Sequence, residues 1–143
     1  MSIKRVSPKE AAELTQQGYT YVDVRSTTEF ENGRPQGAVN VPLMHADPAR
    51  GMVPNAEFLD VMKKRFPSGS KIVLGCQGGN RSMRAAEMLQ AQGWNDLIEQ
   101  RAGFGGARDM STGRVVEPGW ADAGLPVESG PAPGRDWASL SKG

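Results

Sequence analysis

Cysteine is nearly missing from this chain. Cys76 is the single example in 143 residues, and histidine is as scarce, with His45 alone. One thiol cannot close an intrachain disulfide, and one Cys with one His cannot complete the ligand set of a structural zinc site. Nothing in the sequence asks for a metal or a cofactor. A free, reactive thiol fits a reducing compartment, so a cytoplasmic setting is expected. Long apolar runs are missing as well, since none approaches the roughly 18 residues that a membrane span needs. The opening Met1-Ser2-Ile3-Lys4-Arg5 leads straight into domain patterning, with no sign of a signal peptide. An excess of one charge is lacking too: 17 Lys and Arg stand against 16 Asp and Glu, interspersed. That balance offers no basic face for nucleic acid and no stripe for a membrane surface. What is left is a soluble globular chain of one-domain size, long enough to bury a core.

Helix and strand signals alternate along it. Ser7-Pro8-Lys9-Glu10 holds three helix-start signals: Ser7 as cap, Pro8 at the first position, and Glu10 to close a capping box. That helix runs to about Gln17 and stops at Gly18. Tyr19 to Val24 reads as a strand by its aromatic and β-branched content. Thr27 to Phe30 makes one helical turn, Gly33 to Gly37 a turn cluster, and Ala38 to Pro42 a short strand ended by proline. Asn55 caps a helix to about Phe66, which Pro67-Ser68-Gly69 breaks. Lys71 to Gly75 is a short buried strand, Ser82 to Gln92 a helix stopped by Gly93, and Trp94 to Gln100 a last strand. Residues 109–119 form an irregular surface excursion. This alternation predicts an α/β fold with a mostly parallel sheet. Residues 1–128 make the domain. Residues 129–143, rich in Gly, Pro and Ser, make a flexible tail in which Trp137 is free to dock or to meet a partner.

Cys76 stands between the strand 71–75 and the helix that follows. A packing cysteine has no use for the polar, glycine-rich Gln77-Gly78-Gly79-Asn80 or for Arg81. In α/β sheets ligands sit beyond the carboxyl ends of the strands, where Cys76 falls. A thiol there meets free backbone N–H groups and the positive end of a helix dipole, which favours the nucleophilic thiolate. Gly78 and Gly79 let the backbone curl around one point. The candidate site is therefore Cys76 as nucleophile, with Gln77, Gly78, Gly79, Asn80, Arg81 and Ser82 cradling an anion. Arg81 presents a planar cationic fork for an oxyanion, or an ion pair to Asp23 or Glu29. Asp23 and Arg25 support the site electrostatically or form structural pairs, Arg25 with Glu29 and Asp23 with loop backbone. His45, in a polar connection, is a minor candidate for chemistry. Met83 and Met88 are core filler.

Three segments resemble the single-domain rhodanese (sulfurtransferase) family. Tyr21-Val22-Asp23-Val24-Arg25 with Glu29-Phe30 is similar to its D-V-R … E-F segment, and Gly33 to Pro42 to its G-H-I-x-G-A-x-N-x-P segment. Cys76 to Ser82 is similar to its active loop. Gly103-Phe104, Trp120, Gly124 and Pro126 extend the likeness, which covers about residues 3–128. The resemblance implies a five-stranded, mostly parallel sheet flanked by helices on both faces, and a cysteine that carries a persulfide. It implies a thiosulfate sulfurtransferase that takes a sulfane sulfur from thiosulfate or a similar small anionic donor. With no second cysteine, the sulfur leaves to an external acceptor: a small thiol, cyanide or a thiol protein. One departure is Arg34, where the family has His; followed by Pro35, it should make that turn stiffer and more basic. Two other functions compete. Cys-dependent phosphatases and arsenate reductases of related fold place a longer loop between Cys and Arg. The four residues here make a tighter ring, suited to one extra sulfur. Non-catalytic binding or regulatory relatives typically lack the loop cysteine, which this chain keeps.

Overall fold

The computed structural model describes residues 3–142; Met1, Ser2 and Gly143 lie outside them. Local signals start the first elements. Strand β1 (Lys4–Val6) precedes helix α1 (Pro8–Gln16), whose Ser7 cap and Glu10 exchange both capping-box hydrogen bonds. Strand β2 (Thr20–Asp23) leads to α2 (Thr27–Asn32), which carries a second capping box between Ser26 and Glu29. Then come β3 (Arg34–Pro35), β4 (Val39–Asn40), the hairpin β5 (Met44–Asp47) with β6 (Gly51–Pro54), and α3 (Phe58–Arg65). Strand β7 (Ile72–Gly75), α4 (Asn80–Ala91) and β8 (Ile98–Gln100) follow. The chain closes with β9 (Ala107–Arg108), β10 (Val115–Glu117), β11 (Val127–Glu128) and α5 (Trp137–Leu140).

Five strands form the main sheet in the order β1-β8-β7-β2-β4, every pair parallel. β7 is central and buried throughout, as strands covered on both faces are. Its side chains alternate: Ile72 and Leu74 pack with Phe58 and Met62 of α3 and Ala85 and Leu89 of α4. Val73 faces the other way, toward Ala11 of α1, Phe30 of α2 and Trp120. Helices thus cover both faces. Register places Asp23 of β2 beside Gly75 and Glu99 of β8 beside Leu74, so two acidic side chains flank the carboxyl end of β7.

Several expectations need correction. Asn55 does not cap α3. Its side chain donates to the Pro42 carbonyl and accepts from Glu57 N–H, which builds the turn before the helix. Helix α4 starts at Asn80, ahead of Ser82, because Gly79 takes the left-handed cap conformation (φ 94°). The excursion 109–119 is not wholly irregular: it holds β10, which pairs antiparallel with β9 just before it. The tail is not loose. Gly130 N–H donates to the Glu31 carbonyl, Asn40 N–H to the Arg135 carbonyl, and Arg135 Nη1 to the Ala38 carbonyl. Ala132 and Leu140 are buried, and Trp137 packs on the core with its ring centroid 5.6 Å from that of His45. The Gly/Pro/Ser composition signalled irregular backbone, but Arg135, Trp137 and Leu140 are enough to anchor it.

Arg34 does not make the turn at 33–37 more basic at its surface, since it is 1 % exposed. Its guanidinium stacks on Phe30 and donates to Glu128 at 2.7 Å and to the Gly130 carbonyl. Burial resists ionisation of Glu128, but hydrogen bonds from Arg34, Arg135 and Gly37 N–H outweigh it and hold that carboxyl down at about 2. Arg34 therefore acts as the post to which β11 and the tail are tied.

Candidate active site

Cys76 follows β7 directly and is 2 % exposed. The backbone then turns through Gln77 and Gly78 to Gly79, whose positive φ only glycine adopts readily. A Cβ on Gly79 would also strike the Arg101 carbonyl, so that position is closed to a side chain. Gly79 N–H donates to Cys76 Sγ at 3.1 Å, and Ser82 Oγ lies 3.3 Å from the same sulfur. Among the described residues these two groups hydrogen-bond the sulfur. The wider ring of N–H groups expected from 77 to 82 concerns an anion added beyond the sulfur, not Sγ itself. The loop is also held from outside: Phe104 N–H binds the Cys76 carbonyl and Gly105 N–H the Gln77 carbonyl.

The charged neighbours pair in a pattern that sequence spacing did not settle. Arg25 does not bind Glu29. It grips Asp23 with Nε and Nη2, both side chains buried, while its Nη1 donates to Gln77 Oε1 at 3.0 Å and its head lies 4.6 Å above the Phe104 ring. Glu29 is taken by Arg81 in a two-pronged pair at 2.7 and 2.9 Å. The Arg81 fork therefore fastens the start of α4 to α2. Its pKa is raised first by that hydrogen bond, against burial, with the nearby Cys76 and Asp23 adding to the rise. On Glu29 burial works against the charge, yet hydrogen bonds from Arg81 and Ser26 prevail and hold it at about 2. Of the proposed cradle, Gln77, Gly78 and Asn80 are exposed, Gly79 and Ser82 are buried, and Arg81 is intermediate.

That shift has a testable consequence. A carboxyl whose folded value lies below its unfolded value of about 4.3 stabilises the fold above that pH, and the contribution fades as pH falls toward the folded value. Between pH 5 and 2 the wild type should lose more thermal stability than Glu29→Gln, in melts followed by circular dichroism. Parallel losses would show that the Arg81 pair adds nothing.

Sequence reasoning missed Glu99, its partner Arg5, and the packing role of Phe104 here. Glu99, fully buried on β8, accepts from the Ser82 hydroxyl and pairs with Arg5 Nε at 2.7 Å. Phe104 backs Arg25. A lone carboxylate in the apolar strand Leu97-Ile98-Glu99 was the available signal for the first, because an unpaired charge is not buried without cause. Beside the loop lies a cleft of about 490 Å³, walled by Gln77 and Asn80 on one side and Arg5, Arg101, Arg108 and Glu117 on the other. His45 is engaged elsewhere, against Trp137. Among the described residues no group of His, Cys, Asp and Glu could hold a metal, and no helix is long and apolar enough to cross a membrane. The arrangement presents an N–H and a hydroxyl to a buried sulfur at the carboxyl end of the central strand.

Residues 7–108 match the family described as Rhodanese-like domain. The chain is 37% identical over 124 residues to "Thiosulfate sulfurtransferase 16, chloroplastic" of Arabidopsis thaliana, covering 87% of this chain and 92% of that protein. It is also 37% identical over 123 residues to "Senescence-associated protein DIN1" of Raphanus sativus, covering 86% of this chain but only 60% of that longer protein. Among solved structures, that of Rv0390 from M. tuberculosis superposes with a TM-score of 0.71 at 28% identity, covering 90% of this chain and 98% of that one.

Proposed function

Because the chain belongs to the rhodanese-like domain family, we propose that it moves a sulfane sulfur from thiosulfate, or a similar small anionic donor, to a thiol or cyanide through a persulfide on Cys76. The observation that carries this reading is the seat of the sulfur: buried, at the carboxyl end of the central strand, and hydrogen-bonded by Gly79 N–H at the start of α4. A thiolate there attacks the outer sulfur of the donor and releases sulfite. Gly79 N–H and the Ser82 hydroxyl stabilise negative charge on sulfur, by the logic of an oxyanion hole. Gln77, Gly78 and Asn80, on the open side of the loop, contact donor and acceptor. Asp23 and Arg25 act through Gln77, which Arg25 holds. Arg81 contributes a nearby positive charge, and its bond to Glu29 keeps the loop in shape.

The four-residue spacing from Cys76 to Arg81 supports sulfur rather than phosphate as the group carried. The cytoplasm, or another reducing compartment, suits the free thiol. Steady-state kinetics with thiosulfate and cyanide test the reading. Covalent sulfur transfer in two half-reactions gives parallel double-reciprocal lines. Intersecting lines, with both substrates bound together, would rule out a free persulfide intermediate.

A further inference from the structure

A fully buried carboxylate stands behind the sulfur. The Glu99 side chain is 0% exposed. A buried charge is costly unless it is paired and hydrogen-bonded, and Glu99 is both. Arg5 Nε meets Oε1 at 2.7 Å, and the Ser82 hydroxyl makes a short hydrogen bond to Oε2. The same hydroxyl lies 3.3 Å from Cys76 Sγ, and Ser82 is itself 0% exposed. Carboxyl, hydroxyl and sulfur thus form an unbroken chain across β8, α4 and the end of β7, closed to solvent. The charged and titratable groups around it are few. Arg5 of β1 faces Glu99, and Glu117 of β10 acts in turn on Arg5. Cys76 interacts with Arg5, with Arg81 of α4 and with Tyr21 of β2, while Asp23 acts on Arg81 and Tyr21 and Arg25 on Tyr21.

Resting on the sulfur-transfer reading, we infer that Glu99 stores the proton of Cys76 and returns it, with Ser82 as the relay. A hydroxyl has one donor and two acceptor positions, so it can take a proton on one side while giving one on the other. During loading the Cys76 S–H bond breaks. Its proton goes to Ser82 Oγ as Ser82 passes its own to Glu99 Oε2, leaving a thiolate and a neutral carboxyl. The thiolate bonds to the outer sulfur of thiosulfate, the donor S–S bond breaks, and sulfite departs with the electron pair. During discharge the acceptor bonds to that outer sulfur. The bond from Cys76 to it breaks, its electron pair stays on Sγ, and the proton comes back from Glu99 through Ser82. The protein ends each cycle with the protons and electrons it began with. Glu99 touches neither substrate nor sulfur, so its part is to position and supply the proton that Ser82 delivers.

A merely structural Glu99 would pin α4 to β8 and β1 and nothing more. Single-turnover discharge separates the two. Wild type, Glu99→Gln and Ser82→Ala are first loaded with thiosulfate, and the added sulfur is verified by mass. Each is then discharged into cyanide in H2O and in D2O, with folding checked by circular dichroism. Glutamine keeps the shape and a hydrogen bond to Ser82 but cannot supply the proton. The relay predicts that both variants discharge at least about a hundredfold more slowly, the low end of what general acid catalysis contributes. It also predicts that the solvent isotope effect of the wild type disappears in both. If Glu99→Gln fails to fold, Ser82→Ala decides alone. Folded variants that discharge at the wild-type rate, or slowly with the isotope effect intact, overturn the relay. A wild type that never gains sulfur overturns the sulfur-transfer reading itself.

Discussion

Cys76→Ser is expected to bring thiocyanate formation from thiosulfate and cyanide down to the level of buffer, with the fold unchanged. The exchange is nearly isosteric at a position 2% exposed, and both hydrogen-bond partners of the sulfur, Gly79 N–H and Ser82 Oγ, can serve an oxygen equally well. Structure is therefore not what is lost. A serine hydroxyl is far less acidic than a thiol and cannot carry a sulfane sulfur as a persulfide, so the covalent half-reaction has nowhere to occur. This is the only cysteine, and no other thiol can substitute. The assay is thiocyanate colorimetry on the purified variant beside a melting curve. Activity surviving in a folded serine variant would mean that the sulfur passes directly from donor to acceptor, and the protein would merely hold the two.

Gly103→Ala should damage both stability and sulfur transfer, although it lies in a different segment from the cysteine loop. Gly103 has φ 70°, and a Cβ there would collide with the Gln77 carbonyl and stand 2.7 Å from the Cys76 carbonyl oxygen. The segment is clamped where it is: Gln100 Oε1 accepts Gly103 N–H and Gln100 Nε2 donates to the Gly103 carbonyl, both at 2.8 Å. Alanine must therefore push on the backbone of Cys76 and Gln77. The left-handed conformation alone costs about 1–3 kcal/mol for a residue with a side chain. A displacement near 1 Å at a reacting atom can cost about a hundredfold in rate. Gly18→Ala is the control, because Gly18 has φ 98° with open space around it. That variant should lose stability through φ and keep its activity. Equal activity in the two variants would show that Gly103 does not set the position of the loop.

Signals carried by neighbouring residues proved readable in the chain. The helix cap at Ser7, the helical turn from Thr27, the buried strand before Cys76 and the glycine turn after it depend on residues within a few positions of one another. Each has one physical solution. The parallel sheet followed from the alternation of elements. What stayed hidden depends on register between distant strands. Glu99 reaches Ser82 across 17 positions, and only the pairing of β7 with β8 brings them together. Arg25 could have met Glu29, four residues on along the chain, but Asp23 lies closer to its head and Arg81 claims Glu29 from 52 positions away. The tail misled for a related reason. Its composition describes the backbone, whereas its order comes from long-range bonds such as Arg34 to Gly130.

The central claim is a covalent persulfide on Cys76, and the mass of the protein tests it most directly. Purified wild type treated with thiosulfate and desalted should gain the mass of one sulfur atom, located by peptide fragmentation on Cys76 and removed by cyanide. An unchanged mass in a folded, reduced protein, or an added sulfur that cyanide does not remove, would contradict it.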